Sequence, residues 1–108
     1  MSSLKRPLFI DFELYADNDP EFKLELIESM VDNLHELQKA YSYSVENKDP
    51  QFFSKTYHKV KTTIVMLEDD EFNKLIEELK NPAVDADKVS LFNKLIVEII
   101  RSLSAEKA

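Results

Sequence analysis

One of the two histidines of this chain, His58, has neighbours that suit phosphoryl chemistry. Lys61 follows three residues later, which is one turn along an α-helix and on the same side. A neutral imidazole nitrogen is a nucleophile near pH 7, and an ammonium group offsets the charge of arriving phosphoryl oxygens. The two residue types at this spacing therefore fit a site that accepts a phosphoryl group.

The helix that must carry His58 has a clear apolar stripe. Its members lie three or four residues apart and are Phe53, Tyr57, Val60, Ile64 and Leu67. At about 100° per residue, His58 lies about 140° from Phe53, so the pattern predicts an anchored helix that presents the imidazole to solvent.

The solvent side of the same helix forms a candidate partner-binding surface. Ser54, Thr62 and Val65 lie with His58 and Lys61 within about 100° of arc, and Lys55 and Lys59 flank them. Residues 48–61 hold four lysines and one aspartate, although the whole chain has a formal net charge of −7. We expect a local positive patch, with Val65 as an apolar contact for a partner.

Four principal amphipathic helices are predicted to hold this surface in place. The first begins at Asp19-Pro20 and runs to about 46, with Asn47 as a left-handed C-cap, and Asp49-Pro50 starts the second, which ends near 67. The third covers about 72–79 after a cap within 68–70 and is stopped by Asn81-Pro82, and the fourth runs from Asp85 or Asp87 to about 103.

The connections between these helices are short, which forces neighbouring helices to be antiparallel. The sequence therefore predicts an all-α, up-down-up-down four-helix bundle that forms one domain over residues 1–108. Residues 7–15 are expected to add a short helix or an extended cap. The ends, about 1–6 and 105–108, are expected to be flexible.

The composition argues against several classes of protein. The absence of glycine disfavours sheets and phosphate-binding loops, and the absence of cysteine leaves no disulfide or thiolate zinc site. The acidic charge disfavours nucleic acid and anionic membranes as partners. Asp32-x-x-His35 occurs once and faces outward, which does not fit a di-iron bundle. We expect a cytoplasmic monomer without a metal or cofactor of its own.

The residues around His58 resemble the motif of the histidine-containing phosphotransfer (HPt) domain family. That motif is His-x-x-Lys-Gly on a helix of a four-helix bundle, and the chain has His58-Lys59-Val60-Lys61-Thr62. The resemblance implies that His58 accepts a phosphoryl group and that Lys61 stabilises its charge. It further implies a covalent carrier, without a nucleotide site, that serves receiver domains of response regulators or hybrid histidine kinases. The receiver would supply the Mg²⁺.

Thr62 stands where the family motif has glycine. Glycine leaves space beside the histidine for a phosphoryl group and a receiver, whereas threonine adds a branched side chain whose hydroxyl can bond a phosphoryl oxygen. Two alternatives therefore stay open. One is a module of the same fold that binds a receiver or kinase without phosphorylation, and the other is an unrelated helical adaptor on which His58 is an incidental surface residue.

Overall fold

The computed structural model describes residues 8–80 and 86–106, and over these residues it is all-helical, with five helices and no strand. This confirms the predicted all-α class. The helices are α1 (Phe12–Ala16), α2 (Pro20–Asn47), α3 (Pro50–Leu67), α4 (Asp70–Leu79) and α5 (Ala86–Ala105). None of the described helices is both long and apolar enough to cross a membrane.

Three of the helix starts follow directly from aspartate caps. The Asp19 carboxylate accepts hydrogen bonds from the backbone N–H groups of Glu21 and Phe22, and Pro20 occupies the first turn. Asp69 caps α4 and Asp11 caps α1 in the same way. The short helix expected within 7–15 is α1, which covers Phe12–Ala16. The cap predicted within 68–70 is Asp69.

The start of α3 differs, because Asp49 makes no side-chain capping bond. The backbone N–H of Phe53 donates instead to the Ser44 hydroxyl of α2, at 2.9 Å. At the corresponding positions of α2 and α4, the N–H groups donate to the carbonyl oxygens of the capping aspartates. The sequence predicted the Asp49-Pro50 start correctly, and Asp49 is the N-cap residue, but its side chain makes no capping bond. The short connection brings Ser44 against the first turn of α3, where its hydroxyl accepts the bond instead.

The end of α2 is also shifted by one residue. Lys48, not Asn47, has the left-handed backbone, with φ of 53°. Asn47 remains helical, and its side-chain amide donates to the Tyr43 carbonyl one turn earlier. In a chain without glycine, ordinary residues must take the positive φ of such helix ends.

The structure also departs from simple helical periodicity and from the predicted helix ends at a few other residues. Val45 of α2 and Val97 of α5 are exposed although they are apolar, because Ser44 and Ile96 beside them face inward. Asp87 lies inside the first turn of α5 and so is not its cap, whereas Asp85 and the Asn81-Pro82 stop lie outside the described residues. The flexible C-terminal end was predicted to begin at residue 105, which is helical. The predicted flexible residues 1–6 and 107–108 lie outside the described residues.

A cluster of four aromatic rings joins the four longer helices. Tyr41 of α2 meets Phe53 of α3 and Phe92 of α5 edge to face, with ring centroids 5.1 and 5.2 Å apart. Phe92 also lies 6.1 Å from Phe53 and stacks on Phe72 of α4 at 6.1 Å. All four side chains are buried, so each long helix contributes an aromatic ring to one shared core.

Side-chain contacts join neighbouring helices at two points each. For α2 with α3 and for α2 with α5, the contact from the later residue of α2 is made with the earlier residue of the other helix. The same holds for α4 and α5. The contacts are Asn33–Thr63 and Ser44–Phe53 for α2 and α3, Lys23–Glu106 and Gln38–Asn93 for α2 and α5, and Phe72–Phe92 and Glu78–Lys88 for α4 and α5.

Replacing Ser44 by alanine tests the shared cap of α2 and α3. The buried N–H of Phe53 would lose its acceptor, so we expect Ser44→Ala to lower the free energy of unfolding by about 1–3 kcal/mol in urea denaturation. Asp49→Ala is the control, with an expected change below about 0.5 kcal/mol, because that side chain makes no capping bond. A larger loss for Asp49→Ala than for Ser44→Ala would contradict the assignment.

Candidate functional site

His58 lies in the middle of α3, on the side that faces away from the core. Phe53, Val60 and Ile64 are each 1% exposed and hold the opposite side of the helix in place. The imidazole itself is exposed and makes no hydrogen bond or ion pair with another described residue. The helix therefore fixes the position of His58 and leaves its ring nitrogens free for an incoming group.

The residues predicted to share this surface lie along the same side of α3. Lys61 and Thr62 are exposed, one turn after His58, and Val65 follows with 56% of its surface exposed. Ser54, one turn before His58, is half-buried. We call Ser54, His58, Lys61, Thr62 and Val65 the histidine face.

The flanking lysines have different surroundings. The Lys59 ammonium is 2.7 Å from a carboxylate oxygen of Glu36 on α2, so its charge is partly offset and directed towards the α2 side. Lys55 and Lys61 are exposed and form no ion pair with another described residue. The positive charge available to a partner at the histidine face therefore comes from these two lysines, and Lys59 contributes less than the sequence suggested.

A neighbouring contact was missed in the sequence analysis. The Tyr57 ring lies 5.9 Å from the His58 ring, and the Lys80 ammonium sits 4.3 Å from the centroid of the Tyr57 ring. Lys80 follows α4 and also pairs with Glu77 at 2.8 Å. The residue that follows α4 thus places a cation over the aromatic ring that lies beside His58. Helical periodicity alone carries no signal for such a contact between helices.

Thr62 and Thr63 face opposite environments. The Thr63 hydroxyl is buried and accepts a hydrogen bond of 2.8 Å from the side-chain amide of Asn33 on α2. This bond fixes the rotation of α3 against α2 at the turn after His58. Thr62, the residue before Thr63, is exposed and lies one turn after His58 on the same side of α3.

The described residues contain no group of three or more histidine, cysteine, aspartate or glutamate side chains that could hold a metal ion. The other histidine, His35, is exposed on α2, like Asp32 before it.

The histidine face can present a nucleophile to a protein partner. Its imidazole is accessible, is flanked by free ammonium groups and has no carboxylate paired with it among the described residues. The exposed side of a single helix does not by itself enclose a substrate. Comparison of the chain with models of known protein families, with curated proteins and with solved structures gave no match.

Proposed function

We propose that this chain is a histidine phosphotransfer protein that carries a phosphoryl group on His58 between receiver-domain aspartates of a two-component phosphorelay. One observation carries the proposal: an exposed imidazole stands in the middle of a firmly anchored helix, with a free lysine one turn later. The motif resemblance at residues 58–62 adds the reaction class. The proposed compartment is the cytoplasm.

The proposed fold of the carrier is an antiparallel, up-down-up-down four-helix bundle of α2 to α5. Three observations support it. The contacts of α2 with α3, of α2 with α5 and of α4 with α5 pair the later residue of one helix with the earlier residue of the other. The four helices share an aromatic core, and the connections from α2 to α3 and from α3 to α4 are short. In this arrangement α3 keeps one side in the core and one side for the receiver, and the carrier acts as a monomer.

The proposed transfer has two balanced steps. A ring nitrogen of His58 attacks the phosphorus of a receiver aspartyl phosphate, an N–P bond forms, and the P–O bond breaks with its electron pair left on the aspartate carboxylate. The other ring nitrogen keeps its proton. A carboxylate of a second receiver then attacks the phosphorus, and the N–P electron pair returns to the imidazole. In both steps the Lys61 ammonium stabilises the phosphoryl oxygens.

A second candidate is a module that binds a receiver or a kinase through the same surface without accepting a phosphoryl group. Thr62 is the observation that favours it, because this exposed β-branched side chain lies one turn from His58 where the family motif has glycine. A third, an unrelated helical adaptor, has no specific contact in its favour.

Removal of His58 tests the carrier function directly. After incubation with a panel of phosphorylated receivers, we expect the unaltered protein to gain label that is lost in acid and retained in alkali, as a phosphoramidate should be. His58→Gln is expected to abolish the label. The matched control is His35→Gln, which removes the other exposed histidine and should leave labelling unchanged. Absence of label from every receiver, or label that persists in His58→Gln, would contradict the proposal.

Lys61→Ala separates a catalytic role of this lysine from a structural one. A charged hydrogen bond to a phosphoryl oxygen is worth about 1.5–3 kcal/mol, so we expect transfer to slow by about tenfold or more. The free energy of unfolding should change by less than about 1 kcal/mol, because the side chain is exposed. Lys94→Ala, on the exposed side of α5, is the control with unchanged transfer. An unchanged rate for Lys61→Ala would remove its assigned role.

Thr62→Gly distinguishes the first two candidates. If the threonine only narrows the approach to His58, Thr62→Gly should speed transfer. The transfer rate of Thr62→Ser should then lie between the rates of the unaltered protein and of Thr62→Gly. If the unaltered protein binds receivers without transfer and Thr62→Gly gains it, the second candidate is correct for this chain. Receiver binding by calorimetry and transfer by labelling must both be measured, and stability must be checked because glycine costs about 1 kcal/mol in a helix.

A further inference from the structure

The imidazole of His58 is not oriented by a hydrogen bond. In many reactive sites, a bond from one ring nitrogen of a histidine to a neighbouring group fixes the ring. His58 is exposed and bonds no other described residue. Helix α3 fixes the backbone of His58, but the side chain still has two torsions about which it can rotate. Whatever orients the ring must therefore be a contact of another kind.

The ring of Tyr57 supplies such a contact. Its centroid lies 5.9 Å from the centroid of the His58 ring, and the two ring planes are tilted by 59°. This distance is within the roughly 4.5–7 Å that aromatic pairs prefer. Consecutive residues of a helix point about 100° apart and do not normally face each other, so the two side chains must lean together. The tyrosine ring therefore limits the rotation of the imidazole on one side.

Tyr57 is itself held by two kinds of contact. Its half-buried ring packs against the core, and the Lys80 ammonium lies 4.3 Å from the ring centroid. That distance is within the roughly 6 Å of a cation–π contact. Lys80 is half-buried, and its ammonium also binds the Glu77 carboxylate at 2.8 Å. The residue that follows α4 is thus tied to the residue that precedes His58.

From these contacts we infer that Tyr57 is a positioning residue for the His58 imidazole and that Lys80 holds Tyr57 in that role. The consequence for phosphoryl transfer rests on the proposed function. A ring nitrogen that is already oriented lies in line with an incoming phosphorus more of the time, and misplacement of a reacting group slows a reaction steeply. The orientation of the ring does not rest on the proposed function, because it can be measured in the unphosphorylated protein.

Proton NMR of the unphosphorylated protein tests the orientation. We expect nuclear Overhauser contacts between the Tyr57 and His58 rings that weaken in Lys80→Met, which loses the ammonium, and persist in Lys80→Arg, which keeps a cation. Tyr57→Leu should move the imidazole resonances of His58 but not those of His35. Lys74→Met, at an exposed lysine of α4, is the control and should change neither. Ring contacts as strong in Lys80→Met as in the unaltered protein, or unchanged His58 resonances in Tyr57→Leu, would overturn the inference.

Phosphoryl transfer to the same variants tests the consequence. We expect Tyr57→Leu to slow transfer about tenfold and Lys80→Met to slow it about twofold to fivefold, with receiver binding by calorimetry unchanged. Tyr57→Phe and Lys80→Arg, which keep the ring and the cation, should transfer at the unaltered rate.

Urea denaturation must accompany these measurements, because Tyr57 packs against the core and Tyr57→Leu can lose stability. Lys80→Met keeps the test independent of that loss. Slower transfer in Lys80→Met but not in a folded Tyr57→Leu would mean that Lys80 acts by its charge alone, and would overturn the inference. If the unaltered protein gains no label while the ring contacts change as expected, the proposed function fails and the positioning of the ring is supported.

Discussion

The contact of Tyr41 with Phe53 and Phe92 is the interaction on which the rest of the molecule depends. These rings come from α2, α3 and α5, and Phe72 extends the cluster to α4. Aromatic side chains bury large areas and prefer the edge-to-face geometry seen here. Because Phe53 lies in the first turn of α3 and its own N–H is bonded to Ser44, the cluster fixes both where α3 begins and which side of it is buried.

The exposed side of α3 follows from that constraint. Once Phe53, Val60 and Ile64 are buried, the 3.6-residue period leaves His58, Lys61, Thr62 and Val65 outside. The Asn33–Thr63 bond fixes the same rotation one turn after the histidine. In the proposed function, a phosphoryl acceptor in this position needs no pocket of its own, because the proposed receiver would bring the reactive group. Rigid presentation of one nucleophile is the property that the fold supplies.

Much of this arrangement was predictable from the sequence, because apolar periodicity is a local signal. The bounds of α2, α3 and α4 and the exposure of His58 follow from it within a residue or two. Contacts between helices were not predictable. The bond from the first turn of α3 to the Ser44 hydroxyl, the Lys59–Glu36 pair and the Lys80–Tyr57 contact each join α3 to a residue outside it. The roles proposed for the histidine face remain predictions.

Phosphorus NMR at neutral pH tests the central claim most directly. The protein would be mixed with a phosphorylated receiver, separated from it and examined for a covalent phosphorus signal, alongside the same experiment on His58→Gln. The account predicts one phosphoramidate resonance that disappears in acid and is absent from the variant. A resonance in the variant, or no covalent phosphorus on the unaltered protein with any receiver that it binds, would contradict it.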